Sequence, residues 1–224
     1  MLRIGITGGV GAGKSTIAKI FSNQYGIKVY NSSEQAKLLL NSNEELIAKI
    51  KDLLGSEVYL NKSLITNLVS SKIFSNDDLR LKMQNIVHKY VIEDFESKLK
   101  KYEDEKYVLF ESAILIETGL YKNFDKIIVV NSNLETRLKR LMEHRHMSEE
   151  KALSIINSQV SDSERLKHAS YLINNDLEVN LYPNIIDRNW YASYEHHEEI
   201  QNRKERTAQL KNRIEQIHNR ILAL

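Results

Sequence analysis

The sequence predicts an α/β fold in which a parallel sheet is covered by helices on both faces. Short β-branched apolar runs alternate with helical stretches along the chain. Two of those runs, Tyr107–Phe110 and Lys126–Val130, are nearly continuous in apolar residues, as in strands buried on both faces. A glycine cluster, Gly8 to Gly13, separates the first apolar run from a helical stretch.

Taken in order, Leu2–Thr7 suits a buried strand. Lys14–Tyr25 carries apolar residues at Ile17, Ala18, Ile20 and Phe21, a helical spacing that stops at Gly26. Ile27–Tyr30 reads as a second strand. Residues 33–105 are mostly helical in pattern, with breaks near 41–43, 55–61 and 75–78. Asn76 or Asp77 caps a long helix reaching Lys101. This stretch is too long for a simple crossover, and reads as an insertion over the C-terminal edge of the sheet, where such folds bind ligands. Leu134–Arg145 and Ser148–Gln159 read as helices, with Ser148 and Ser161 as caps. Tyr171–Ile173 is the last strand, ended by Asn174, Asn175 and Asp176.

Residues 181–205 differ in texture, holding Pro183, Trp190 and several Tyr and His residues. Beyond them Leu210, Ile214, Ile217, Ile221 and Leu224 repeat at 4-3-4-3 spacing. Such a stripe fits a helix packed back on the core, and also fits a dimer helix.

Composition narrows the function classes. The chain has 224 residues, 42% of them hydrophobic and 28% charged, the balance of an ordinary globular protein. Lys plus Arg total 32 against 30 acids, so no dedicated nucleic-acid surface is expected. Cysteine is absent, which excludes disulfides and thiolate metal sites. The N-terminal run is too short for a signal peptide, and no window approaches the ~20 apolar residues of a membrane span. A cytoplasmic monomer or weak homo-oligomer is the expectation.

The strongest motif is Gly8-Gly9-Val10-Gly11-Ala12-Gly13-Lys14-Ser15, which satisfies G-x-x-x-x-G-K-[ST] at every defined position. Glycines let successive N–H groups turn inward as an anion nest, and the helix that follows adds its N-terminal dipole. Gly9, Gly11, Ala12, Gly13, Lys14, Ser15 and Thr16 are therefore expected to bind ATP phosphates. Lys14 reaches the β- and γ-phosphates, and the Ser15 hydroxyl is the Mg²⁺ ligand. With a strand before it and a helix after it, the motif predicts a three-layer α/β/α P-loop NTPase.

Phosphoryl transfer also needs positive charge on the moving group. Arg137, Arg140 and Arg145 cluster on one helical stretch, resembling the helical lid of a small-molecule kinase. A solvated basic face fits their spacing equally well. Glu111 ends the strand Tyr107–Phe110 and is placed to orient metal-bound water or an acceptor hydroxyl; Glu117, six residues on, fits that role or a surface one. His88 lies among Ile86, Val87, Val91 and Ile92, where a structural role is the commoner one. His144 with His146, and His196 with His197, lack metal-ligand spacing on a helix.

Over residues 2–176 the chain resembles the dephospho-CoA kinases. The resemblance rests on IGITGGVGAGKST (4–16), IVH (86–88), FESAILIETGL (110–120), DKIIVVNSNLETRLKRLMEHRHMSEEKA (125–152), Gln159 and YLINND (171–176). It implies ATP-dependent phosphorylation of the ribose 3′-hydroxyl of dephospho-CoA. It also implies a core of about 1–31, 106–136 and 166–224, an acceptor-binding helical part of about 32–105, and a lid of about 137–165. Residues 181–224 form an atypical C-terminal extension.

By the same resemblance Arg140 and Arg145 are lid arginines that act on the transferred phosphoryl group, Arg140 as a catalytic residue and Arg145 as an ATP contact. Asn175 lies in the ATP-binding stretch that approaches the adenine, and His88, Leu115 and Glu117 line the acceptor site. The motif itself makes Lys14 catalytic, the strand-end position makes Glu111 so, and Asn31 is expected to contact the acceptor. Where the family carries Asp-x-Asp after the second strand, this chain has Asn31-Ser32-Ser33. Neither side chain type accepts a hydroxyl proton at neutral pH, so Glu111 is expected to take part of that role. A catalytically impaired ATP-binding relative, or a kinase for another nucleoside-like substrate, stays open at this point.

Overall fold

The structure is a computed structural model that describes residues 1–74 and 76–176, the backbone from 194 onward, and side chains from 207 onward. The aromatic stretch 181–205 thus lies largely outside the described residues. The chain forms two compact units, residues 1–29 with 105–224, and residues 30–104. The stretch 137–165, expected as a lid, belongs to the first unit.

The first unit is built on five strands: β1 (Leu2–Thr7), β2 (Val29–Asn31, which begins at the border of the unit), β5 (Tyr107–Glu111), β6 (Lys126–Asn131) and β7 (Tyr171–Asn174). Their order is β2-β5-β1-β6-β7, and β1 pairs in parallel with both β5 and β6. β6 pairs in parallel with β7. Register aligns Ile6 with Glu111 on one side and with Ile128 on the other. The C-terminal ends of β1 and β5 therefore lie side by side, which sets the glycine turn next to Glu111. β5 is buried along its whole length, as its unbroken apolar pattern requires.

Among the described residues five α-helices complete this unit: α1 (Lys14–Tyr25), α6 (Leu134–Arg145), α7 (Glu149–Asn157), α8 (Asp162–Lys167) and α9 (Tyr194–Leu222). Asn133, Ser148 and Ser161 cap α6, α7 and α8 with side-chain oxygens on backbone N–H groups. Ser148 and Ser161 were legible as caps from sequence; Asn133 was not singled out. The stripe on α9 resolves toward the core. Leu210, Ile214, Ile217 and Ile221 are buried in one cluster with Ile4, Ile17 and Phe21, while Leu224 is exposed. Arg213 Nε also donates to the Leu172 carbonyl of β7 at 3.2 Å.

The second unit contains α2 (Ser32–Ser42), α3 (Glu44–Leu54), a two-stranded hairpin of β3 (Tyr59–Leu60) and β4 (Ser63–Leu64), α4 (Thr66–Phe74) and α5 (Asp77–Leu99). Asn31, Asn43 and Asn76 cap α2, α3 and α5. Ile50, Leu46, Val91 and Phe95 anchor its interior. The Tyr30 hydroxyl lies 2.9 Å from the Val91 carbonyl and 2.8 Å from Asp94 Oδ2, and burial raises its pKa. The hairpin replaces what the sequence suggested was an irregular break. Its turn residues Asn61 and Lys62 both take positive φ, 48° and 67°, which gives the tight reversal such short strands need.

Candidate active site

The glycine turn leaves β1 at Thr7 and enters α1 at Lys14. Gly13, the residue before α1, has φ +91°, and a Cβ there would sit 2.2 Å from Asn175 Nδ2. Only glycine meets both demands. At Gly9 a Cβ would meet the Arg137 guanidinium at 2.4 Å. The turn is thus clasped closely by side chains from α6 and from the end of β7.

Lys14 is the charge at the centre. It is 9% exposed, and its Nζ donates to the carbonyls of Gly8 at 2.9 Å and Gly9 at 3.1 Å. Burial pulls its pKa from 10.5 down to about 8, opposed by Glu111 and reinforced by the positive charges of Arg165, Arg145 and Arg137. Ser15 is exposed, and its hydroxyl donates to Glu111 Oε1 at 2.5 Å. Glu111 itself is 6% exposed. A hydroxyl and a carboxylate so placed at the head of α1 fit a hard cation that keeps most of its ligands from water and phosphate. Among the described residues no group of three or more His, Asp or Glu side chains forms an all-protein metal cage.

The three arginines singled out on α6 separate into different roles. Arg137 is buried; its Nε donates to the Val10 carbonyl at 2.9 Å and its Nη1 to Asp162 at 3.1 Å. Arg140 donates to the Gly11 carbonyl at 3.2 Å, the Ser132 hydroxyl at 3.3 Å and the Asn175 carbonyl at 2.8 Å. Asn175 is buried and donates from Nδ2 to the Ala12 carbonyl at 2.8 Å. Arg137, Arg140 and Asn175 therefore hold the outer side of the turn. Arg145, at the end of α6, is exposed and has no hydrogen-bond partner among the described residues, yet its charge is felt at Lys14.

Glu117 lies in the segment between β5 and β6. Its Oε1 accepts from Val160 N and from Arg165, both at 3.3 Å. Arg165 is 1% exposed and also pairs with Asp162 at 2.5 Å. Gln159 accepts from Val10 N at 2.7 Å and donates to the Ala113 carbonyl at 3.3 Å, so the α7–α8 connection touches the glycine turn directly. Sequence reading passed over Arg165: on a helix of six residues it looks like a surface cation, and its partner Glu117 is 48 residues away. Leu115, expected at the acceptor surface, is instead core. It is fully buried, with Cδ2 only 2.6 Å from where a Cβ on Gly5 would lie. That packing also accounts for the glycine in the middle of β1.

Beside the turn a cavity of about 560 Å³ opens within the first unit. Gly13, Thr16, Ile20, Asn175, Leu210 and Lys211 are among its lining residues. It extends the phosphate cradle past Thr16 toward α9. In the second unit, Asn31 accepts from Ser33 N and Glu34 N as the cap of α2, and burial on α5 lowers the pKa of His88.

A family model described as dephospho-CoA kinase matches residues 2–180. The chain belongs to the dephospho-CoA kinase family. The dephospho-CoA kinase of Bacteroides fragilis is 33% identical to it over 186 residues, spanning 83% of this chain and 90% of that protein. A crystal structure of a Thermus thermophilus protein superposes with a TM-score of 0.69 and 26% identity, covering 78% of this chain and 88% of that one. The fold is also that of a dephospho-CoA kinase from Campylobacter jejuni, with a TM-score of 0.62, 21% identity, and coverage of 99% and 97%. Dephospho-CoA kinases are P-loop phosphotransferases with an alcohol acceptor, and the cradle around Lys14 is the corresponding part of this chain. No helix among the described residues is long and apolar enough to cross a membrane.

Proposed function

We infer that this chain uses ATP to phosphorylate the ribose 3′-hydroxyl of dephospho-CoA, giving CoA, the last step of coenzyme A biosynthesis. The observation that carries the reading is the buried Lys14, set inside a glycine cradle in a chain that belongs to this kinase family. Backbone N–H groups of residues 9–16 and the Lys14 ammonium receive the β- and γ-phosphates. Thr16 lies one residue on and takes an α-phosphate oxygen.

Ser15 and Glu111 are the groups that would hold Mg²⁺, whose bound form neutralises charge on the phosphates. Glu111 also carries the proton-accepting role for the 3′-hydroxyl, since Asn31, Ser32 and Ser33 offer no carboxylate. Arg140 keeps the turn and Asn175 in register. Arg145, exposed near Lys14, is the arginine available to the transferred phosphoryl group. Asn31, His88 and Glu117 serve the acceptor. Phosphoryl transfer leaves little covalent work to the protein, so positioning and charge dominate. A chain without the Asp-x-Asp acids thus retains most of the machinery.

The test is direct. Purified protein is incubated with Mg·ATP and dephospho-CoA, and CoA is followed against a Lys14→Ala control. CoA formed by the parent and lost in the variant is the expected result. ATP binding without CoA formation would remove the assignment.

A further inference from the structure

The donor cavity beside the glycine turn is not built only from the stretch that the family model matches. That match ends at residue 180, whereas Thr207, Leu210 and Lys211 of α9 line the cavity. Leu210 holds this part of α9 in place, 6% exposed within the core cluster that includes Ile17. Ile20 and Leu210 provide apolar walls, and Asn175, whose Nδ2 donates to the Ala12 carbonyl, lines the cavity with Gly13. No carboxylate lines the cavity among the described residues. An apolar slot with a few convergent donors, continuing from a phosphate cradle, has the chemistry of a nucleoside site.

We propose that α9 supplies part of the recognition of the donor nucleoside, with Lys211 and Thr207 donating to acceptor atoms of the purine ring or the ribose. This rests on the reading of the chain as an ATP-dependent kinase and adds specificity residues to it. Lys211 is exposed and makes no hydrogen bond among the described residues, so its ammonium is available to a ligand. It is a donor only, and ring nitrogens and ribose oxygens are acceptors. It is carried by α9, whereas Gly13 and Thr16 belong to the glycine turn and the start of α1. Its contacts are therefore assigned to the nucleoside and not to the β- and γ-phosphates at Lys14.

The experiment compares ATP with inorganic tripolyphosphate, which carries the phosphates without the nucleoside. Dissociation constants for both are measured by calorimetry on the full chain, for the parent, Lys211→Ala and Thr207→Ala. KM for ATP and for dephospho-CoA is measured on the same proteins. The expected result is a three- to tenfold weaker ATP affinity, about the worth of one hydrogen bond. Tripolyphosphate affinity and KM for dephospho-CoA should stay at the parent's values.

Equal weakening of ATP and tripolyphosphate would mean that Lys211 acts only as a distant charge, and would overturn the proposal. Unchanged ATP affinity in both variants would overturn it as well. A parent protein that binds ATP tightly but forms no CoA would defeat the assigned reaction while leaving the nucleoside site testable. A parent that binds no ATP would defeat both.

Discussion

The Ser15 hydroxyl donates to Glu111 Oε1 at 2.5 Å, joining the first turn of α1 to the end of β5. Parallel pairing of β1 with β5 brings the two residues together, although 96 positions separate them. Exchange of Glu111 for Gln keeps the shape but removes the negative charge to which cation binding and proton acceptance are assigned in the proposed function. Glu111→Gln should lower kcat by about 10²-fold, the lower end of what a general base contributes. It should also raise the Mg²⁺ concentration needed for half-maximal rate, with ATP affinity in the absence of Mg²⁺ held. Steady-state kinetics over a Mg²⁺ series checks this; unchanged kcat and Mg²⁺ dependence would return the proton-accepting role to another group.

Lys14 is charged below its pKa of about 8 and neutral above it in the free protein. The affinity for ATP phosphates should therefore fall as pH rises through that value. A plot of kcat/KM for ATP against pH, which reports the free enzyme, should show a basic limb near pH 8. Lys14→Arg, charged throughout, should have lower activity but no such limb.

Arg165 and Glu117 form a pair that leaves little room for error. Arg165 is 1% exposed and the Glu117 side chain 19%. Arg165→Met removes one partner and leaves a largely buried carboxylate without its countercharge, a loss of about 3–5 kcal/mol. Adding Glu117→Gln to Arg165→Met should restore part of that stability, because the stranded charge is gone. Urea unfolding of the two single variants and the double variant measures the coupling; strict additivity would show that the pair is not coupled.

His218 lies against Tyr107, whose hydroxyl is 2.6 Å from Nδ1, and stacks on Tyr25 at 4.3 Å. Burial lowers its pKa below 6.5, opposed by Glu215. A histidine with a depressed folded pKa binds protons more readily when unfolded. Stability is therefore lost as pH falls below about 6.5. His88 titrates in the same direction. Chemical denaturation at pH 7.5 and pH 5.5 should show the decline, and His218→Gln should reduce its slope without abolishing it.

The parts legible from sequence were those set by neighbours in the chain. The apolar runs marked β1, β5 and β6, the glycine cluster marked the cradle, and Ser148 and Ser161 marked helix starts. The strand order β2-β5-β1-β6-β7 depends on pairing across long separations and was not read. Spacing alone did not separate a core stripe from a dimer stripe on α9, since both put apolar residues on one face. Burial of Leu210, Ile214, Ile217 and Ile221 decides in favour of the core. Leu115 misled because a motif position next to a site need not face it. Arg165 stayed hidden because its pairing with Glu117, far away in the chain, exists only in the fold.

The interior formed by Ile4, Ile17 and Phe21 is closed by Ile214, Ile217 and Ile221. A growing polypeptide thus carries an unsealed apolar face from the emergence of β1 and α1 until Ile221 has left the ribosome. Throughout that interval β1 and α1 have no cover from α9, and apolar surface exposed in this way is prone to aggregation.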